Sequence, residues 1–136
     1  MGSFSDVPSL TAAGTILPRR AVRASSGAGY LRHSGSQVTA ATDFVIGVSD
    51  GSTKSFSSSN HAEAGDSITL QGGAIVEVTT GSATAISCGS LLKIDTNGKF
   101  VVGGAASDVN WAVALEPSSA ADLIIRAKLL STPRIT

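Results

Sequence analysis

From residue 20 onward the sequence is a series of short runs rich in Val, Ile, Leu and Thr, each closed off by Gly, Asn, Asp or Ser. Runs of that length, bounded by residues that accept turn conformations, read as strands rather than helices. They predict strands over 20–24, 44–49, 67–71, 74–80, 91–95, 99–102, 111–116 and 122–130. In the last of these Leu123, Ile125, Ala127 and Leu129 share one face. Ile124, Arg126, Lys128 and Leu130 form the other, and its two central bases mark the first set as the core side. Ala74, Val76 and Val78 oppose Ile75, Glu77 and Thr79 in the same way. Between 91–95 and 99–102 stands Thr96-Asn97-Gly98, and an Asn-Gly pair supplies the positive φ of a tight hairpin turn. A length of 136 residues, with 15 Gly and few aromatics, suits one compact domain of short strands. The expected fold class is all-β, a small β-barrel or β-sandwich.

Residues 1–18 lack this pattern. Phe4, Val7, Leu10, Ile16 and Leu17 are scattered among Ser, Pro, Thr, Ala and Gly with no sustained period, which predicts an extended N-terminal arm. The single β-domain is then expected to run from 19 to 136. Within it the polar, Ser-rich stretch 51–64 reads as an exposed loop. A weak internal repeat is also present. Val45-Ile46-Gly47-Val48-Ser49-Asp50 can be laid over Trp111-Ala112-Val113-Ala114-Leu115-Glu116, and Gly65-Asp66-Ser67-Ile68 over Ala121-Asp122-Leu123-Ile124. Chance similarity between short apolar strands is the alternative.

Catalytic and metal chemistry find little support. His33 and His61 are the only imidazoles, neither at ligand spacing from another His or Cys, and His61 reads as an exposed loop histidine. No G-x-S-x-G elbow occurs, and the glycine pairs Gly72-Gly73 and Gly103-Gly104 lack the Lys and Ser/Thr of a phosphate loop. Asp50, Asp66, Glu77, Asp95, Glu116 and Asp122 fall at strand ends, where turn formation explains them. No catalytic residue, metal or cofactor is expected. Cys88, the single cysteine, excludes an internal disulfide and reads as a small, at least half-buried hydrophobe. The start of the chain has no signal-like apolar stretch and nothing is long enough to span a bilayer, so no membrane association is expected.

Net charge is zero but unevenly spread: Arg19, Arg20, Arg23 and Arg32 stand against Asp6 alone at the front, leaving the remainder acidic. A few arginines without interleaved aromatics do not make a nucleic-acid footprint. They suit either a solvated terminal segment or an arm that docks on an acidic surface. Trp111, the lone tryptophan, reads as a core or rim anchor, or alternatively as an anchor between subunits.

Taken in order, the motifs Gly14-Thr15-Ile16-Leu17-Pro18-Arg19-Arg20-Ala21-Val22, Ile46-Gly47-Val48-Ser49-Asp50, Ala64-Gly65-Asp66, Gly89-Ser90-Leu91-Leu92 with 95–98, and Ala112-Val113-Ala114-Leu115-Glu116 before 123–130 resemble a known group. They are similar to the small decoration or cement proteins of tailed bacteriophages, across roughly 14–130. The Ser-rich stretch is longer than the turn usual there. The resemblance implies a non-enzymatic structural protein on the outer surface of the virion, clamping subunits of the major capsid protein. It also implies a homo-oligomer, with a trimer favoured over a dimer. Expected capsid or subunit contacts are Phe4, Leu10, Ile16, Leu17, Arg19, Arg20, Arg23 and Trp111. The rival reading is a carbohydrate-binding or other host-surface-binding β-module, using the Ser-rich loop.

Overall fold

The computed structural model describes residues 10–25, 34–81 and 84–136. The described residues contain strands and turns but no helix, so the fold is all-β. The strands are β1 (Leu10–Ala12), β2 (Ala21–Ser25), β3 (Ser34–Gln37), β4 (Val45–Val48), β5 (Ser67–Ile68), β6 (Ile75–Thr79), β7 (Leu91–Ile94), β8 (Phe100–Val102), β9 (Val109–Ala114) and β10 (Ile124–Ile135). They make two five-stranded sheets, ordered β4-β2-β3-β1-β5 and β6-β10-β9-β7-β8.

Each sheet curls until its edges meet. In the first, an antiparallel bridge from Ser49 to Leu70 joins the end of β4 to the residues after β5; in the second, a parallel bridge from Thr80 to Phe100 joins the end of β6 to β8. Substituting β6–β10 for β1–β5 in order makes the two rings identical, with β1/β3 and Thr80/Phe100 as the parallel contact in each. Single hydrogen bonds repeat as well. Gly65 N donates to Ala12 O (2.9 Å) as Asp122 N does to Thr80 O (2.8 Å). Ile16 N donates to Ala62 O (2.8 Å) as Ile86 N does to Ser118 O (2.8 Å), and Arg19 N to Ser49 O (3.1 Å) as Gly89 N to Ala114 O (2.7 Å). Even the left-handed residues coincide, Arg19 (φ 56) with Gly89 (φ 86) and Gly65 (φ 91) with Asp122 (φ 61). The described chain is an internal structural repeat of two like halves. The hydrogen bonds pair Asp50 with Leu115 and Gly65 with Asp122, so the sequence overlay found the right elements one residue out of register at both ends.

The interiors correspond side chain for side chain. Ala12, Ile16, Val22, Ala62 and Ile68 form the small core of the first barrel, and Thr80, Ile86, Leu92, Ser118 and Ile125, all buried, take those places in the second. A larger cluster joins the halves: Ala21, Val38, Val45 and Val48 of the first pack with Val76, Ile94, Trp111 and Ala127 of the second. Alternation along β2 makes this arrangement work, because Ala21 faces the shared core and Val22 the barrel interior.

The eight predicted strands are all present, and Ile125 and Ala127 lie on the buried face as expected. The hairpin at 95–99 also forms, with Asp95 Oδ1 accepting from Asn97 N (2.8 Å) and Lys99 N (3.0 Å). Only Gly98 has positive φ (73), so the loop is a three-residue turn with a glycine bulge rather than a two-residue turn. The expected arm needs correction. Residues 10–18 belong to the first barrel: Leu10 and Thr11 pair with β5, Thr11 and Ala12 with β3, and Ile16 is fully buried. The β-domain therefore takes in residues 10–18 as well, and residues 1–9 of the expected arm, with Phe4, lie outside the described residues.

Candidate interaction surface

The residues expected to make capsid or subunit contacts are largely used within the chain. Leu10 packs half-buried against the first core, and the Leu17 N–H donates to Gln37 Oε1 (2.9 Å). Arg19 Nε pairs with Glu77 Oε1 at 3.0 Å. Arg20 Nη1 donates to Asn97 O at 3.0 Å. Burial lowers the Arg20 pKa below the usual guanidinium value, against the raising influence of nearby Asp122 and Asp95. Arg23 Nε lies 3.6 Å from Asp43 Oδ2. The basic front thus meets the acidic body inside one molecule. Trp111 is buried in the shared core and takes the ring of Phe44 edge-on, with centroids 5.1 Å apart and planes at 80°. It anchors one half to the other. The β7–β8 hairpin tip adds to this seam, since Asn97 O also accepts from Gln37 Nε2 (2.9 Å) and Gly98 O from Ala21 N (2.8 Å).

The Ser-rich loop is exposed along most of 51–60 but its end is not. His61 is 5% exposed, correcting the expectation of a surface histidine, and Ala62 is fully buried. His61 Nε2 accepts the Thr69 N–H at 3.0 Å, so Nδ1 carries the proton and donates to Ser52 O at 2.9 Å. Asp50 Oδ1 stands 3.3 Å from the same nitrogen and accepts the Ser52 hydroxyl at 2.5 Å. A serine, a histidine and an aspartate thus meet, but serine and aspartate address one nitrogen and a backbone amide occupies the other. The ring has no nitrogen free to take a serine proton, so the cluster is a clasp for the loop. Among the described residues no group of three His, Cys, Asp or Glu side chains could hold a metal ion. Cys88 is exposed rather than half-buried. His33 lies outside the described residues.

Several large apolar side chains also stand exposed, and of these Leu123 departs from the expected strand faces. Phe56 at the loop tip is 112% exposed, and Leu115, Leu123 and Ile124 of the second barrel are 42%, 43% and 52% exposed. Leu115 N donates to Arg126 O, which makes Leu115 and Ile124 diagonal neighbours on the outer sheet face. Beside them a groove of about 380 Å³ is lined by Ala85, Ile86, Pro117, Ser118, Ser119 and Leu123. Periodicity hid Leu123, because alternation along β10 assigned it to the core side; the strand begins only at Ile124, and Leu123 turns outward before it.

No protein-family profile matches this sequence, and no curated protein matches it. A solved structure does: the head fiber gp8.5 N base of bacteriophage phi29 superposes with a TM-score of 0.68 at 17% identity, over 95% of this chain and 97% of that one. The two chains share a fold. At that identity, the likeness extends to the whole path of the chain and not to individual side chains.

Proposed function

We propose that this chain is a structural protein of a tailed-phage virion, seated on the outer surface of the head as a decoration or cement protein. The observation that carries the reading is the match, end to end in both chains, to the base of a phage head fiber. The order of sequence motifs across 14–130 supports it independently. The partner is the major capsid protein, and the chain acts as a homo-oligomer, a trimer before a dimer.

The mechanism is linkage. A protein that binds the assembled shell, and not free capsid subunits, lowers the free energy of the shell by its binding energy. Several modest contacts in one oligomer combine through effective concentration when their spacing matches the lattice. Two barrels sharing one core suit this task, because the seam made by Trp111, Arg19 and Asn97 holds them as one body. Residues 1–9, with Phe4, are the proposed capsid contact from the N-terminal side.

Purified chain mixed with expanded, undecorated heads is expected to co-sediment at saturable occupancy and to raise the temperature at which the heads release DNA. Deleting residues 2–9 should lower occupancy while preserving both barrels. A chain that fails to bind such heads overturns the proposal.

A further inference from the structure

The two barrels differ most where the repeat says they should agree. In the first, twelve residues (50–61) connect β4 to the Ile16–Ala62 bridge; in the second, the stretch from Leu115 to Pro117 makes the same connection to the Ile86–Ser118 bridge. The long connection folds back over its own barrel. Lys54 Nζ reaches Asp66 Oδ2 (3.1 Å) and Glu63 Oε1 (3.4 Å), and Asn60 Nδ2 reaches Glu63 Oε2 (3.1 Å). By the shared hydrogen bonds, Glu63 and Asp66 correspond to Ser119 and Leu123. The groove of the second barrel is therefore the site that the first barrel covers with its own loop, left open and stripped of charge.

From this we infer that the open groove seats Phe56 from the loop tip of a second copy of the chain. Charge matching selects the occupant. A wall of Ala85, Pro117 and Leu123 offers no partner for a lysine such as Lys54, so burying a charge there would leave it uncompensated. The tip Ser55-Phe56-Ser57-Ser58-Ser59 carries no charge, and its phenyl ring is fully exposed in the single chain. A groove of about 380 Å³ has room for that ring. Because the tip belongs to the first barrel and the groove to the second, the contact is head-to-tail, and repetition closes a ring when the rotation allows. The inference deepens the self-association in the proposed function and rests on it only for its biological setting.

Sedimentation velocity of the full chain over a concentration series tests it. The wild type should pass from monomer to oligomer. Phe56→Ser and Leu123→Asp should each raise the midpoint at least about tenfold, as loss of a buried anchor does. Leu123→Asp places in the second barrel the residue that the first already carries at Asp66, and Leu123→Ser is a milder second variant if folding suffers. Mixing Phe56→Ser with Leu123→Asp should restore a dimer and stop there, since one keeps the groove and the other the ring. A wild type that stays monomeric, variants that assemble like the wild type, or a mixture no better than its components would each overturn the inference. Head occupancy is measured separately: a chain that decorates heads while remaining monomeric overturns this contact alone, and one that assembles without binding heads overturns only the capsid reading. If Leu123→Asp lost head binding in a monomeric chain, the groove would belong to the capsid protein instead.

Discussion

The two halves of this molecule solve one topological problem with different side chains. In the first barrel β3 carries Gly35, where an added Cβ would lie 2.9 Å from Ile68 Cδ1 and 3.0 Å from Leu10 Cδ2. The interior there is filled from the neighbouring strands. In the second barrel the equivalent residue of β8 is Phe100, fully buried, so the strand itself supplies the bulk. The same ring of five strands thus accepts a glycine or a phenyl at one position, provided its neighbours compensate in volume. The roof differs too: a twelve-residue loop clasped by His61 covers one barrel, and a short turn leaves the other open. The two halves share one frame, and the length of one loop decides that a groove roofed over in the first half stays open in the second.

Phe100→Ala should have the largest effect. It empties a position with no backup and is expected to cost about 3–5 kcal/mol in urea unfolding. If the loss were under 1 kcal/mol, roughly the range of a tolerated hydrophobic swap, the contrast in filling would fail. Gly98→Val comes next. It forces a branched residue to φ 73 and brings its Cβ to 3.2 Å from the Ala21 carbonyl, which cannot swing aside. A loss of about 1–3 kcal/mol is expected, together with loosening of the seam between halves seen as faster hydrogen exchange at Ala21. Gly35→Val should cost slightly less, about 1–2 kcal/mol, because the atoms it meets are the tips of side chains that can yield.

Acid should produce the smallest change, and it touches both halves. The Asp66 carboxyl is held below the usual range by the Glu63 backbone N–H and by Lys54. Glu116 is lowered by the Arg126 backbone and side chain, and Asp122 by Lys99. A depressed carboxyl stabilises the fold above its unfolded pKa, about 4, and that contribution disappears as pH falls through the lower folded value. All three are solvent-exposed, so their joint contribution should be small and Tm should decline gently below about pH 4. A Tm that instead rose on acidification would contradict these pairings.

The strand pattern was legible because period-two alternation and turn residues are local signals. Val76 and Val78 inward, Glu77 outward, and a turn at Asn97-Gly98 all follow from a few neighbouring residues. Two strands escaped notice. Leu10–Ala12 has only three residues, and Ser34–Gln37 reads Ser-Gly-Ser-Gln with nothing β-branched or aromatic. Both are strands because neighbours offer hydrogen bonds that such segments accept whatever their propensity. The repeat was visible in its apolar runs, yet its register was not, since a one-residue slip leaves composition unchanged while turning every side chain over.

The sequence by itself determined the fold class, the strand faces, the main hairpin and the presence of two related segments, all properties of short windows. Tertiary structure alone decided that the segments close into two like barrels, that Ile16 is core and not a peg, and that Arg19, Arg20 and Trp111 bind the halves to each other. It also decided that the length of one loop leaves one barrel uncovered. Those outcomes depend on which distant residues share a hydrogen bond or a buried volume, and such partners are set by closure of the whole chain.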